Sequence, residues 1–81
     1  MTQQELSCIR RSIHNHLGHR IRLSANRGRH RYEVSEGFIR ETYPNIFVVE
    51  LISDNPDKNN KKVSFSYHDV VTEDVKMCLL A

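Results

Sequence analysis

The 81-residue sequence contains little of several residue types that characterise whole classes of protein. It has two cysteines, three glycines, two prolines and no tryptophan, so it offers too few cysteines for a disulfide-rich secreted scaffold. No apolar run approaches the ~20 residues that a membrane-spanning helix needs. Residues 1–5 lack the basic and apolar regions of a signal peptide. These absences predict a single domain over residues 1–81 that resides in the cytoplasm.

Cys8 and Cys78 are the two cysteines of the sequence. A disulfide between them is one option, but two buried free thiols that pack as small hydrophobic groups are the prediction. A domain of this size buries a small share of its surface, so its stability needs support. We therefore expect a homodimer.

Acidic residues are absent from residues 18–31, which form the most basic part of the chain. Residues 1–31 carry a net charge of +6 and residues 32–81 a net charge of −4. Such a division steers charged partners to one side of a molecule, or two copies toward each other. The basic part therefore predicts an anionic partner. Five arginines lie in that part: Arg20, Arg22, Arg27, Arg29 and Arg31.

A helix is predicted over about residues 3–16, before the basic segment. Thr2 and Glu5 fit a capping box, and Gly18 follows where a left-handed cap is expected. Arg10 and Arg11 lie opposite an apolar stripe with helical spacing. The stripe consists of Leu6, Ile9, Ile13 and Leu17.

From residue 19 the apolar period changes to two, as in a strand with one buried face. If Arg27 and Gly28 form a two-residue hairpin loop, apolar residues pair on one face and charged residues on the other. The predicted pairs are Leu23 with Tyr32, Ile21 with Val34, and Arg22 with Glu33. This register predicts an outer face that carries Arg20, Arg22, Arg29 and Arg31, with Arg27 at the tip.

The remaining residues predict four further strands and one helical turn. Gly37 indicates a bulge or bend in a long second strand, residues 46–52 a central and largely buried third strand, and residues 53–62 an exposed loop. The fourth strand contains Val63, Phe65 and Tyr67, residues 68–74 form the turn, and the fifth strand contains Val75, Met77 and Leu79. The predicted fold is mainly β, a small five-stranded bent antiparallel barrel (SH3-like or Sm-like) over about residues 19–80, preceded by one N-terminal α-helix. An oligonucleotide-binding barrel fits less well, because its helix lies between the third and fourth strands.

Three stretches resemble the Veg family of small cytoplasmic proteins from Gram-positive bacteria. They are residues 17–29 (LGHRIRLSANRGR), 41–49 (ETYPNIFVV) and 64–75 (SFSYHDVVTEDV). The resemblance covers nearly the whole chain and lies in the combination and spacing of the three stretches. The polar loop after Ile52 is longer and richer in lysine than the family pattern. The resemblance implies a regulator that stimulates biofilm formation by opposing a repressor of matrix genes, and it supplies no catalytic or ligand residues.

Neither an enzyme nor a cofactor is predicted. The best catalytic constellation combines His68 with Asp69 and Ser66, and a turn in which Asp69 caps the backbone explains it better. His14 and His16 point about 200° apart on a helix, whereas histidine pairs that bind zinc on helices are three or four residues apart. No glycine-rich phosphate loop precedes a helix, so the predictions are no catalytic residue, no cofactor and no metal.

Two binding hypotheses remain for the predicted site. Its residues are Arg20, Arg22, Arg27, Arg29, Arg31, Arg10 and Arg11. In the first, the arginine-rich hairpin face binds acidic residues of a regulatory protein such as a transcriptional repressor, and so acts in regulation of transcription and biofilm formation. In the second, the same arginines hold DNA or RNA phosphates in a salt-sensitive manner. A solvated face that serves solubility alone is the neutral alternative, and no membrane partner is predicted.

Overall fold

The computed structural model describes residues 3–29, 31–53, 55 and 57–80. A helix and five strands follow in the predicted order, with a second short helix before the last strand. The elements are α1 (Gln3–Asn15), β1 (Arg20–Gly28), β2 (Arg31–Thr42), β3 (Ile46–Leu51), β4 (Lys61–Ser66), α2 (Tyr67–Val71) and β5 (Val75–Leu79). The predicted mainly β fold with an N-terminal helix is confirmed. Gly18 ends the helical segment with φ of 84°, as expected, whereas Thr2 of the predicted capping box lies outside the described residues.

The five strands form one antiparallel sheet in the order β4-β3-β2-β1-β5. β5 pairs with β1 instead of with its neighbour in the chain, β4. The pairings of the described strands thus run from β4 at one edge to β5 at the other, and they do not include a pairing that closes the sheet into a barrel.

The register predicted for the first hairpin is wrong by three residues. Leu23 pairs with Ser35 and not with Tyr32, because β1 continues through Gly28, which pairs with Arg31. An irregularity between residues 26 and 28 accompanies this turn, where the Asn26 side-chain oxygen accepts a 3.0 Å hydrogen bond from the Gly28 N–H. A shift by an odd number of residues exchanges the two faces of a strand. Residues of β2 that were expected inside therefore lie outside.

Gly37 allows close approach of β2 and β3, and it does not form the predicted bulge. It pairs with Ile21 on one side and Leu51 on the other, and the irregularity of β2 lies further along, between Ile39 and Glu41. A Cβ atom on Gly37 would collide with the Glu50 carbonyl oxygen and lie 2.9 Å from Val49 Cγ1. The φ of Gly37 is not positive, so its backbone conformation does not require a glycine. The glycine is needed for the space that a Cβ atom would occupy.

The core lies between α1 and the inner face of the sheet. β3 alternates buried Phe47 and Val49 with exposed Ile46, so the strand that the sequence predicted to be largely buried is buried on one face. From α1, Leu6 and Ile9 pack against the cluster. The buried members are Ile13, Ile21, Leu23, Ile39, Phe47, Val49, Tyr67 and Val75.

Tyr67 begins α2 and does not continue the fourth strand as predicted. The Ser66 hydroxyl accepts a 3.0 Å hydrogen bond from the His68 N–H and so caps the helix. The Tyr67 ring packs 5.3 Å from the Phe47 ring, centroid to centroid. Within the described residues its buried hydroxyl makes no hydrogen bond of ordinary length and angle. Burial raises the pKa of Tyr67, and the nearby Tyr43 backbone and Arg10 guanidinium oppose that rise.

Both cysteines are free and exposed, so the prediction of two buried thiols is wrong. Cys78 lies on β5 opposite Arg22, on the face of the sheet that points away from the core. Cys8 lies on α1. None of the described helices is long and apolar enough to cross a membrane.

Replacement of Gly37 by Ala is expected to lower the free energy of unfolding by about 3 kcal/mol, because the added methyl group forces β2 and β3 apart. Gly18→Ala is the control, since a Cβ atom there meets open space and costs about 1 kcal/mol through its backbone conformation alone. Urea unfolding of the two variants measures both values. Equal losses would contradict the steric role of Gly37.

Tyr67→Phe is expected to reduce the loss of stability at alkaline pH. A raised pKa in the folded state means that unfolded Tyr67 loses its proton first, so this stabilisation is present below pH ~10 and is lost as the pH rises further. The wild-type free energy of unfolding should therefore fall more steeply above pH ~10, by up to about 1.4 kcal/mol per pH unit. Tyr32→Phe retains Tyr67 and should keep the wild-type slope. Identical slopes for all three proteins would refute the assignment.

Candidate functional site

A basic surface lies on the outer face of β5, β1 and β2. Burial of Ile21 and Leu23 directs Arg20 and Arg22 to the opposite side of β1. Arg22 lies between Glu36 on β2 and Cys78 on β5. Ser24, the next residue of β1 on the same face, lies between Val34 and Lys76. We call this surface the basic face and define it by Arg20, Arg22, Tyr32, Val34, Glu36 and Lys76.

One carboxylate serves two guanidinium groups on the basic face. Arg20 Nη2 is 3.5 Å and Arg22 Nη2 is 3.9 Å from the oxygens of Glu36. The side chains of Arg20 and Arg22 remain 49% and 55% exposed, so solvent weakens both ion pairs. Lys76 Nζ lies 5.1 Å from the centre of the Tyr32 ring, within cation–π range. The basic face thus carries three cations and one anion.

The β3 end of the outer face is balanced in charge. Arg40 Nε is 3.4 Å from Glu50 Oε1, and the Arg40 guanidinium carbon lies 5.0 Å from the centre of the Phe38 ring. A hydrogen bond from Asn60 and one from Arg40 lower the pKa of Glu50. Lys62 pairs with Glu50 across the strands, and Glu41 adds a second carboxylate through its pairing with Val48. The excess of positive charge therefore lies over β5, β1 and β2.

Arg29 and Arg31 were predicted to share the outer face with Arg20 and Arg22, with Arg27 at the tip. In the structure these three arginines lie apart from Arg20 and Arg22. Arg27 Nε donates a 3.0 Å hydrogen bond to Glu33 Oε2, and Glu33 pairs with Ala25 on the inner side of the hairpin. Arg31 is two residues from Glu33 and so shares its face of β2. Arg29 lies in the turn, beside a surface cavity. The cavity is lined by Asn26, Gly28, Arg29, Tyr32, Asp69 and Asp74.

Arg10 and Arg11 lie on α1 and do not extend the basic face. They line a cleft with Thr42, Tyr43 and Pro44 at the end of β2 that is distant from the hairpin tip. Arg31 and Thr42 are separated by ~35 Å of strand. The seven predicted arginines therefore form three groups: Arg20 with Arg22, Arg27 with Arg29 and Arg31, and Arg10 with Arg11.

Lys76 is a residue of the basic face that the sequence reasoning missed. It alternates with Val75 and Met77, so its exposure could be inferred from β5 alone. Its position beside Ser24 required the pairing of β5 with β1, which joins residues about fifty positions apart. No local pattern signals that pairing.

The candidate catalytic and metal-binding residues have structural roles. Ser66 caps the backbone of α2, the role that the sequence reasoning gave to Asp69. His14 Nδ1 lies 2.7 Å from Thr42 Oγ1, and His16 Nδ1 lies 2.6 Å from the Ser12 carbonyl oxygen. Among the described residues, no group of three or more His, Cys, Asp or Glu side chains could hold a metal ion.

Together the fold and the basic face define a small, mainly β domain with an exposed cationic surface on its sheet. The model of the family described as biofilm formation stimulator VEG matches residues 4–78. The chain belongs to this family, which confirms the resemblance found in the sequence. The family is regulatory and is not a known enzyme family. A search of curated proteins finds no match to the chain.

Combined replacement of Arg20 and Arg22 by Gln is expected to change the free energy of unfolding by less than about 1 kcal/mol, because exposed ion pairs contribute little. Leu23→Ala on the same strand is the contrast. Leu23 is 2% exposed, and its truncation should cost about 2–5 kcal/mol. Thermal or urea unfolding measures both changes. A loss in the arginine variant as large as in the leucine variant would assign these arginines to stability.

Proposed function

We propose that this protein regulates biofilm formation and transcription without catalysis, by binding an acidic surface on a regulatory protein such as a transcriptional repressor. The regulatory role of the family supports the class of function. The Arg20 and Arg22 side chains of the β1–β2 hairpin form the centre of the proposed interface. Lys76 extends it onto β5.

The observation that carries this proposal is the mixture of side chains on the basic face. Val34 is 60% exposed and pairs with Ser24, one position further along the same face than Arg22. Tyr32 is 43% exposed and lies beside Lys76. Exposed aromatic and apolar groups next to arginine are typical of protein interfaces, where the apolar groups lose water and the guanidinium groups pair with carboxylates. An acidic protein surface with apolar residues at its centre fits this arrangement.

Binding of DNA or RNA is the second candidate function. The observation that favours it is the charge of the basic face, on which Arg20, Arg22 and Lys76 could each contact a phosphate. Contacts of that kind are directed to the backbone and sensitive to salt. A stacking platform is less developed, because Arg40 lies over the Phe38 ring and Lys76 lies over the Tyr32 ring.

The structure supports three further parts of the proposal: the barrel type, the homodimer and the cytoplasmic location. A meander of four strands, a short helix and a fifth strand that returns to β1 fit a small bent barrel of the SH3 or Sm type. β5 is an edge strand with Leu79 51% exposed beside an apolar cleft of about 450 Å³, so a second copy of the chain could associate there. Two free, exposed thiols suit the reducing cytoplasm.

Capture of partners from a cell lysate, with and without nuclease, tests the proposed function. The bait proteins are the wild type and a variant with Arg20, Arg22 and Lys76 replaced by Gln. A control variant with Lys58, Lys61 and Lys62 replaced by Gln removes the same charge from the β3–β4 region. We expect the wild type and the control to retain one acidic regulatory protein after nuclease treatment, and the basic-face variant to lose it. Light scattering of the purified bait should give the mass of a dimer.

Two outcomes would contradict the proposed protein partner. Complete loss of the captured material after nuclease treatment, with log affinity for nucleic acid falling linearly with log salt concentration, would establish the second candidate instead. Equal capture by the basic-face variant and the wild type would remove the basic face from the interaction altogether.

A further inference from the structure

A second basic site lies on the side of the molecule that carries α1. Positions i, i+3, i+4 and i+7 of a helix share one face. That face of α1 borders the β2–β3 turn, and a cleft of about 460 Å³ lies between the two. Its lining residues are Ser7, Arg10, Arg11, His14, Thr42, Tyr43 and Pro44. We call this cleft the helix–turn cleft.

Two hydrogen bonds hold the walls of the helix–turn cleft together. Arg10 Nη1 donates to the Pro44 carbonyl oxygen at 3.2 Å. His14 Nδ1 lies 2.7 Å from Thr42 Oγ1, one helical turn further along α1. These contacts join the helix to the turn at two points, so the cleft is a feature of the packed structure, and the side chains of Arg10 and His14 are held in position.

The charge of the helix–turn cleft is not compensated by its lining. None of the lining residues is a carboxylate, and within the described part of the chain Arg10 and Arg11 form no ion pair. Arg10 and Arg11 place two positive charges at one cleft, and its lining supplies no counter-charge. A bound anion would supply that counter-charge through charge-assisted hydrogen bonds.

A smaller cavity of about 200 Å³ adjoins the helix–turn cleft. The two spaces share Ser7, Arg10 and Pro44. Tyr67 lines the smaller one, and among the described residues its buried hydroxyl makes no hydrogen bond of ordinary length and angle, although the Tyr43 backbone is near. Arg10 thus lies between an open cationic cleft and a buried hydroxyl.

We propose that the helix–turn cleft binds the phosphate group of a small phosphorylated ligand. Arg10 and Arg11 supply paired N–H donors that suit phosphate oxygens, and the hydroxyl of Ser7 supplies a neutral donor. The Tyr43 ring is 47% exposed at the mouth, where it can contact the organic part of a phosphomonoester. The volume suits a small molecule. This site is separate from the basic face and does not depend on the function proposed for that face.

Titration of the full chain with inorganic phosphate, against chloride at equal ionic strength, tests the proposal. Backbone amide NMR signals of residues 7–14 and of Thr42, Tyr43 and Asn45 should shift and saturate. Arg10→Gln with Arg11→Gln should bind phosphate at least about tenfold more weakly, since each charge-assisted hydrogen bond contributes about that factor. Arg20→Gln with Arg22→Gln removes the same charge from the basic face and should retain wild-type affinity.

The outcome that overturns the proposal is a titration in which these signals do not shift, or in which both double variants lose phosphate affinity equally. Because Arg10 also anchors Pro44, the single change Arg11→Gln provides a variant without a described structural contact, and it should by itself weaken binding about tenfold. A parallel titration with adenosine monophosphate distinguishes the two sources of phosphate. Tighter binding than inorganic phosphate assigns the cleft to phosphomonoesters, and tighter binding of inorganic phosphate assigns it to the free anion.

Discussion

Burial of alternate residues along β1 is the constraint on which the rest of the structure depends. Ile21 is fully buried and Leu23 is 2% exposed, and both contribute to the core that α1 covers. Because successive strand residues point to opposite faces, this burial obliges Arg20 and Arg22 to face water. β1 pairs on both sides, so its orientation also determines which residues of β2 and β5 lie beside the arginines. The basic face is a consequence of the core.

Small residues at the centre of the sheet determine how the strands align. Ser35 and Gly37 lie opposite Leu23 and Ile21 on the inner face, where larger side chains would compete for the space that the core residues fill. Gly37 also permits the close approach of β3. With this alignment Glu36 lies on the outer face beside Arg22, so the alignment sets the charge of the basic face as well as the packing of the core.

Local patterns predicted most elements, whereas long-range packing decided what the sequence could not show. The helical spacing before Gly18, the alternation around Ile21 and the alternation from Val75 each correspond to an observed element. The predicted register was also consistent with the pattern of apolar residues, since it placed Tyr32 and Val34 inside. The observed register places Ser35 and Gly37 there, and small residues give no hydrophobic signal. The position of Lys76 and the division of the seven arginines into three groups depend on long-range packing. The sequence of the hairpin alone therefore could not reveal them.

The separation of the basic groups by the core has a consequence for how the molecule can act. The basic face lies on the outer side of the sheet, whereas Arg10 and Arg11 lie on α1, which packs against the inner side. Ligands of the two proposed sites would therefore not compete for the same side chains. The β2 strand connects the two surfaces, since it contributes Glu36 to the basic face and ends at Thr42 in the helix–turn cleft. Coupling between the surfaces would require a change in this strand, and the close packing at Gly37 resists such a change. The two surfaces should therefore respond independently to substitutions in either one.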